Sequence, residues 1–179
     1  MRLFIAINFD EKVRQFLGAH QKKIQTLCPQ GKFTRYQNMH LTLIFLGETP
    51  QEDLPAIITS MEEIQTRPFW LTFDAVGRFK RKDGDIYWMG TRVNQTLHKL
   101  RRQLYERLTQ IGFNLDSRPF NAHITLARAI KLSCEDDYET LKVVTNPLEV
   151  SVDCISLMES THLKGILTYR EVYGKKLSP

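Results

Sequence analysis

His40-Leu-Thr-Leu43 and His123-Ile-Thr-Leu126 write one pattern twice, 83 residues apart, so the chain supplies two imidazoles and two hydroxyls from matched segments. Imidazole titrates near pH 6.5 and can give or take a proton at neutral pH. Two such rings on opposite sides of a phosphorus serve as base for an attacking water and acid for the leaving oxygen. Threonine hydroxyls beside them can donate to the non-bridging oxygens, where charge accumulates in the transition state. The chemistry this set points to is phosphodiester hydrolysis with no metal and no cofactor. His40, Thr42, His123 and Thr125 are its candidate catalytic residues. A single His-x-Thr on a strand is usually structural; two copies at equivalent positions reverse that expectation.

The elements that must position these groups are legible in the flanking pattern. In a strand, alternate residues share a face, so His40 and Thr42 point one way and Leu41 and Leu43 the other, with about 6.7 Å between the Cα atoms of the polar pair. The same alternation holds around His123. Sliding the chain by 83 also aligns Asn38 with Asn121, Leu17 with Leu100 and Phe4 with Tyr87, and lays Leu3–Ile7 on Ile86–Gly90, the mark of an internal repeat.

Helical spacing of apolar residues predicts a helix from an Asp10 cap to about Leu27 and its counterpart from Asn94 to Gly112. A third opens at Thr49-Pro50-Gln51-Glu52 with a capping box. Ser133 is placed to cap a short acidic helix over 135–140. Strands are predicted at Leu3–Ile7, Leu41–Leu46, Phe69–Val76, Asp85–Thr91, Ile124–Ala127, Leu148–Met158 and Ile166–Tyr173, with a hairpin at Asp83-Gly84. Seven strands interleaved with three or four helices make an α+β architecture. Residues 1–179 read as a single domain of two lobes containing the repeat.

Composition narrows the function classes. The 179 residues carry a formal net charge of +5, which favours a polyanionic partner. Three scattered cysteines, Cys28, Cys134 and Cys154, form no Cys-x-x-Cys pair, so neither a zinc site nor a disulfide framework is expected. The five-residue apolar run at Leu3–Ile7 is too short for a signal peptide, and no stretch approaches the roughly 20 apolar residues that cross a bilayer. A cytoplasmic monomer without membrane association is the expectation.

His40-Leu-Thr-Leu-Ile-Phe-Leu-Gly-Glu48 and Arg118-Pro-Phe-Asn-Ala-His-Ile-Thr-Leu-Ala-Arg128 resemble the two signature segments of the 2H phosphoesterases, in the branch of RNA 2′,3′-cyclic phosphodiesterases historically called 2′-5′ RNA ligases. The opening Arg2–Ile7 and the closing Gly165-x-x-x-Tyr169 are similar to the ends of that branch. The resemblance implies a bilobal, pseudo-two-fold fold of two antiparallel sheets with helices outside and the cleft between lobes. It makes His40 the proton donor and His123 the acceptor. It implies as substrate an RNA with a 2′,3′-cyclic phosphate end, opened to a 2′-phosphate, with weak reverse 2′-5′ joining. Ala122 stands where relatives carry proline.

Outside the motifs, Arg128 is a candidate phosphate contact, provided the strand bulges or ends near Ala127; strict alternation would send it to the core. Arg78, Lys80, Arg81 and Lys82 form a basic cluster at the Asp83-Gly84 turn, with Phe79 among them as a candidate base-stacking platform. Of Tyr87 and Trp88, one belongs to the core. His20, His98 and His162 are expected to be structural or solvated, His162 in a turn. Three alternatives stand beside the main reading: a cyclic phosphodiesterase acting on a small nucleotide or an ADP-ribose cyclic phosphate, a non-catalytic RNA-binding module, and a metallohydrolase completed by Glu48 or Asp74.

Overall fold

Two antiparallel sheets meet along the strands that carry the two histidines. The computed structural model describes residues 1–178. In chain order the elements are β1 (Arg2–Asn8), α1 (Glu11–Leu27), β2 (Lys32–Phe33), β3 (His40–Glu48), α2 (Leu54–Glu62), β4 (Phe69–Phe79), β5 (Asp85–Thr91), α3 (Gln95–Gln110), β6 (His123–Ile130), α4 (Glu135–Lys142), β7 (Val143–Val152), β8 (Cys154–Leu163) and β9 (Ile166–Lys176). A 3-10 turn at Tyr36–Asn38 leads into β3, and another at Gln51–Asp53 into α2. The first sheet has the order β3-β1-β8-β9 and the second β2-β6-β5-β4-β7, and β3 lies against β6.

The helices follow their caps. The Asp10 carboxylate accepts from Val13 N–H at 2.9 Å, and the Asn94 side chain accepts from Leu97 N–H at 2.9 Å, each satisfying a donor that the first helical turn leaves free. The third helix starts differently from the expectation. Thr49 caps nothing: its hydroxyl donates back to Gly47 C=O, and Gln51–Asp53 form a 3-10 turn before α2 begins at Leu54. Cys134, not Ser133, holds the cap position of α4.

Each sequence half contributes a β-α-β unit, β1-α1-β3 and β5-α3-β6, but the helices are exchanged between sheets. α1 packs on β6 and β7 of the second sheet, and α3 on β3 of the first. The Gln21 amide on α1 donates to Leu126 C=O at 2.7 Å, fixing that crossing. Leu3, Ile5 and Ile7 of β1, Val13, Leu17 and Ile24 of α1, Tyr87 and Met89 of β5 and Leu97, Leu100 and Leu104 of α3 therefore join one buried cluster. On the other face of the first sheet, Phe4, Ala6 and Met158, with Tyr169 against them, form a small separate one.

Two expectations are corrected by register. The predicted strand Leu148–Met158 is two strands: β7 ends at Val152 in the second sheet, and β8 begins at Cys154 in the first. The exposed Asp153 is the crossing point, where the core-facing residues change from Val150 and Val152 to Ile155 and Leu157. The offset of 83 holds for β3 and β6 but becomes 82 at the neighbouring strands, because Ala6 lies opposite Thr42 and Trp88 opposite Thr125. Phe4 thus corresponds to Ile86 and not Tyr87. A one-residue slip exchanges the faces of a strand, so Tyr87 is fully buried in the main core while Phe4 sits on the cleft side.

Candidate functional site

The polar faces of β3 and β6 are arranged by the same bulge. Thr42 pairs with Ala6 and Ile44 with Ile5, leaving Leu43 unopposed; Thr125 pairs with Trp88 and Ala127 with Tyr87, leaving Leu126 unopposed. Leu43 and Leu126 are themselves related by the offset of 83. The extra residue shifts the alternation by one, so both residues after each threonine are buried and the third turns outward. That third residue is Phe45 in one strand and Arg128 in the other, and both line the cleft. Arg128 reaches the cleft by the bulge its position required.

The two imidazoles are held alike. His40 Nδ1 lies 2.8 Å from Asn38 C=O and His123 Nδ1 lies 2.7 Å from Asn121 C=O. A carbonyl can only accept, so each Nδ1 carries the hydrogen and each Nε2 is the nitrogen left for chemistry. His40 Nε2 is 2.9 Å from Thr42 Oγ1. Aromatic rings pack each imidazole: Phe4 and Tyr169 at centroid distances of 4.8 and 5.1 Å from His40, Phe79 and Trp88 at 5.2 and 6.0 Å from His123. Burial pushes both rings below the usual imidazole pKa. The opposing imidazole adds to this at His40, and the Arg128 guanidinium adds to it at His123.

The cleft has a volume of about 640 Å³ and is lined by His40, Thr42, His123, Thr125 and Arg128 together with Arg2, Lys32 and Arg35. Among the described residues no carboxylate lines it. Arg2, Lys32, Arg35 and Arg128 make no ion pair among the described residues. Uncompensated cations that share one cavity repel each other, and an anion relieves this. Among the described residues no three His, Cys, Asp or Glu side chains gather as a metal-ligand set; Glu48 and Asp74 are not among the cleft residues.

Within the basic hairpin, Arg78 is placed differently from the other three cations. Arg78 has a side chain only 12% exposed, pairs with Asp85 and Glu135, and lies over the Tyr138 ring at 4.0 Å, so its charge is committed within the protein. Lys80 lies 3.7 Å from Glu135. Neither they nor Arg81 and Lys82 line the cleft. Phe79 packs on Trp88 and on His123 and so supports the second imidazole. His162 is likewise placed differently: it lies within β8, not in the turn, and lines the cleft. His20 is buried on α1 with Nδ1 2.9 Å from Phe16 C=O, and His98 packs edge-to-face with Phe120. Cys28, Cys134 and Cys154 are free thiols.

Several cleft residues carried no sequence signal of their own. Phe45 could have been found by applying to β3 the bulge reasoning applied to Arg128, and Arg2 by its alternation with Phe4 and Ala6 along β1. Lys32 and Arg35 could not, since their place depends on the two-residue strand β2 pairing with β6.

Comparison with known proteins agrees with this geometry. The family model of the 2′-5′ RNA ligase superfamily matches residues 14–162. The chain is 33% identical to an RNA 2′,3′-cyclic phosphodiesterase of Archaeoglobus fulgidus over 72% of both chains. It is 31% identical to one of Thermotoga maritima over 97% of this chain and 94% of that one. Among solved structures, Escherichia coli LigT complexed with 3′-AMP superposes with a TM-score of 0.82 at 26% identity, covering 99% of this chain and 98% of that one. TT0787 of Thermus thermophilus superposes with a TM-score of 0.83 at 25% identity and the same coverage. A match over most of the chain, carried by a fold with two strand-borne imidazoles across one cationic cleft, assigns this protein to the 2′-5′ RNA ligase superfamily.

Proposed function

We propose that this protein hydrolyses RNA 2′,3′-cyclic phosphate ends to 2′-phosphomonoesters. The observation that carries the reading is the pair of imidazoles with Nδ1 fixed by a backbone carbonyl and Nε2 left to a cleft without carboxylates. The activity for which the Archaeoglobus and Thermotoga relatives are named supports the same substrate.

In the reaction, His123 Nε2 takes a proton from water as its oxygen attacks phosphorus. The P–O3′ bond breaks, and His40 Nε2–H gives its proton to the departing 3′ oxygen. The phosphate stays on the 2′ oxygen. Thr42 and Thr125 donate to the non-bridging oxygens, and Arg128 neutralises the developing charge. Arg128 also favours this division of roles. Its positive charge favours the neutral, proton-accepting form of His123, whereas part of the depression at His40 comes from His123 and disappears when His123 is neutral. Phe45, 49% exposed in the cleft, offers a ring face to the terminal base. With the 5′-hydroxyl of a second RNA in place of water, the same steps, attack on phosphorus and breakage of P–O3′, leave the two ends joined by a 2′-5′ linkage.

The test is incubation of an oligonucleotide ending in 2′,3′-cyclic phosphate with excess EDTA, followed by identification of the product isomer. Appearance of the 2′-phosphate in chelator is expected. A 3′-phosphate product, or loss of turnover with EDTA and rescue by zinc or manganese, overturns the mechanism.

A further inference from the structure

One end of the cleft is closed by a rim that the reaction at the cyclic phosphate does not use. β8 pairs with β1 only from Ser156 to Ser160, so the β8–β9 hairpin continues past the sheet as a two-stranded arm. Its turn is Lys164-Gly165, both with positive φ (52° and 77°), the type I′ geometry that matches strand twist and holds a hairpin in one register. Ser160 and Tyr169 are a cross-strand pair on the cleft side, and the next pair on that face is His162 with Leu167. Leu167 is 38% exposed.

From the other sheet, the segment after β2 runs towards this arm. Lys32 pairs with Arg128, Thr34 N–H donates to Leu126 C=O, and the segment ends in Asn38, whose side-chain amide donates to Leu167 C=O at 3.0 Å. The Asn38 carbonyl is also the group that holds His40 Nδ1. One buried residue thus anchors both the arm and the reacting imidazole. Lys32 and Arg35, two cations without an ion-pair partner among the described residues, line the same cleft as an imidazole and an apolar side chain, His162 and Leu167. A cation beside a flat, partly apolar surface is what a nucleotide with a backbone phosphate and a base would use.

We propose that this rim is a second nucleotide subsite, which takes the nucleotide immediately 5′ to the cyclic end: Lys32 and Arg35 hold the phosphate joining the two nucleotides, and His162 and Leu167 face its base. The inference rests on the proposed hydrolysis and makes the enzyme one for oligonucleotide ends in preference to cyclic mononucleotides.

The test compares adenosine 2′,3′-cyclic phosphate with the dinucleotide ending in the same cyclic phosphate. Wild-type kcat/KM is expected to be at least about tenfold higher on the dinucleotide, the value of one charge-assisted contact. Lys32→Ala with Arg35→Ala should remove that preference, raising KM for the dinucleotide by a larger factor than for the mononucleotide and flattening its salt dependence, with a melting temperature matching wild type as the control for folding. Leu167→Ser should reduce the preference by a smaller factor. Equal wild-type kcat/KM on the two substrates overturns the subsite, as does a double variant that loses activity equally on both while its melting temperature matches wild type. Absence of turnover on both substrates by the wild-type protein overturns the hydrolysis itself.

Discussion

The two histidine strands are the same device placed in different surroundings. β3 and β6 share the order imidazole, apolar, hydroxyl, the unopposed leucine, and the Nδ1 contact to the carbonyl two residues earlier. They part at the position the bulge turns outward, where β3 has Phe45 and β6 has Arg128. A symmetric scaffold delivers two matched imidazoles; the Arg128 charge adds to the lowering at the second and is not a cause of it at the first. Acid and base roles need that inequality, because two rings with the same pKa and the same field would compete for one proton.

The largest test removes the device from one strand at a time. His40→Ala and His123→Ala should each lower kcat by at least about 10², and the double variant by little more than the worse single one, because the pair acts as a unit. His20→Gln and His98→Gln should stay within a few-fold. A dispensable His40 or His123 in single-turnover measurements breaks the comparison at its root.

The next test exchanges what distinguishes the strands. Both imidazoles titrate below their usual value, so kcat/KM, which rises as His123 loses its proton and falls as His40 loses its own, should peak below about pH 6.5. Arg128→Ala should lower kcat by about 10². It should also move the acidic limb to higher pH, since removing a positive neighbour raises the pKa of His123. Phe45→Ala should raise KM and leave both limbs in place. Identical pH profiles for wild type and the Arg128 variant would show that the asymmetry lies elsewhere.

A smaller effect concerns the hydroxyls. Thr42→Ala and Thr125→Ala should each lower kcat by about tenfold or more while KM changes less, as expected for donors that act on transition-state charge. Thr42 alone lies within hydrogen-bond distance of its imidazole Nε2, so its loss should additionally shift the limb assigned to His40. Equal shifts for both variants would remove this difference between the strands.

The smallest kinetic effect is expected at the basic hairpin, which lies outside the cleft. Lys80→Ala, Arg81→Ala and Lys82→Ala should leave kcat and KM unchanged on long and short RNA. Arg78→Ala should act on stability instead, by about 1–3 kcal/mol in denaturant unfolding, because it leaves Asp85 with a lost partner and Tyr138 uncovered. A raised KM in the exposed lysine variants would place RNA on this loop after all.

Much of the site was legible because it is local. The His-x-Thr alternation, the caps at Asp10 and Asn94 and the dependence of Arg128 on a bulge all follow from residues within a few positions of one another. Even so, local alternation cannot tell which sheet a strand joins. In the run Leu148–Met158 the core-facing residues change from Val150 and Val152 to Ile155 and Leu157, a phase change that in sequence reads as a bulge within one strand while the chain passes from one sheet to the other, and Phe4 and Tyr87 align in sequence yet face opposite sides.

The sequence by itself determined two imidazole-hydroxyl strands, their repeat and the acid-base chemistry they can perform, because strand period and side-chain type fix these without reference to distant residues. Only the tertiary structure decided what surrounds them. It exchanges α1 and α3 between the sheets, and brings Lys32 from a two-residue strand, Arg35 from the segment that follows it and His162 from the β8–β9 arm to one cleft. It also draws Arg78 into an ion pair with Glu135, 57 residues away in the chain. Each of these is a contact between segments far apart in sequence, settled by which apolar faces must be buried together and which charges remain without a partner when they are.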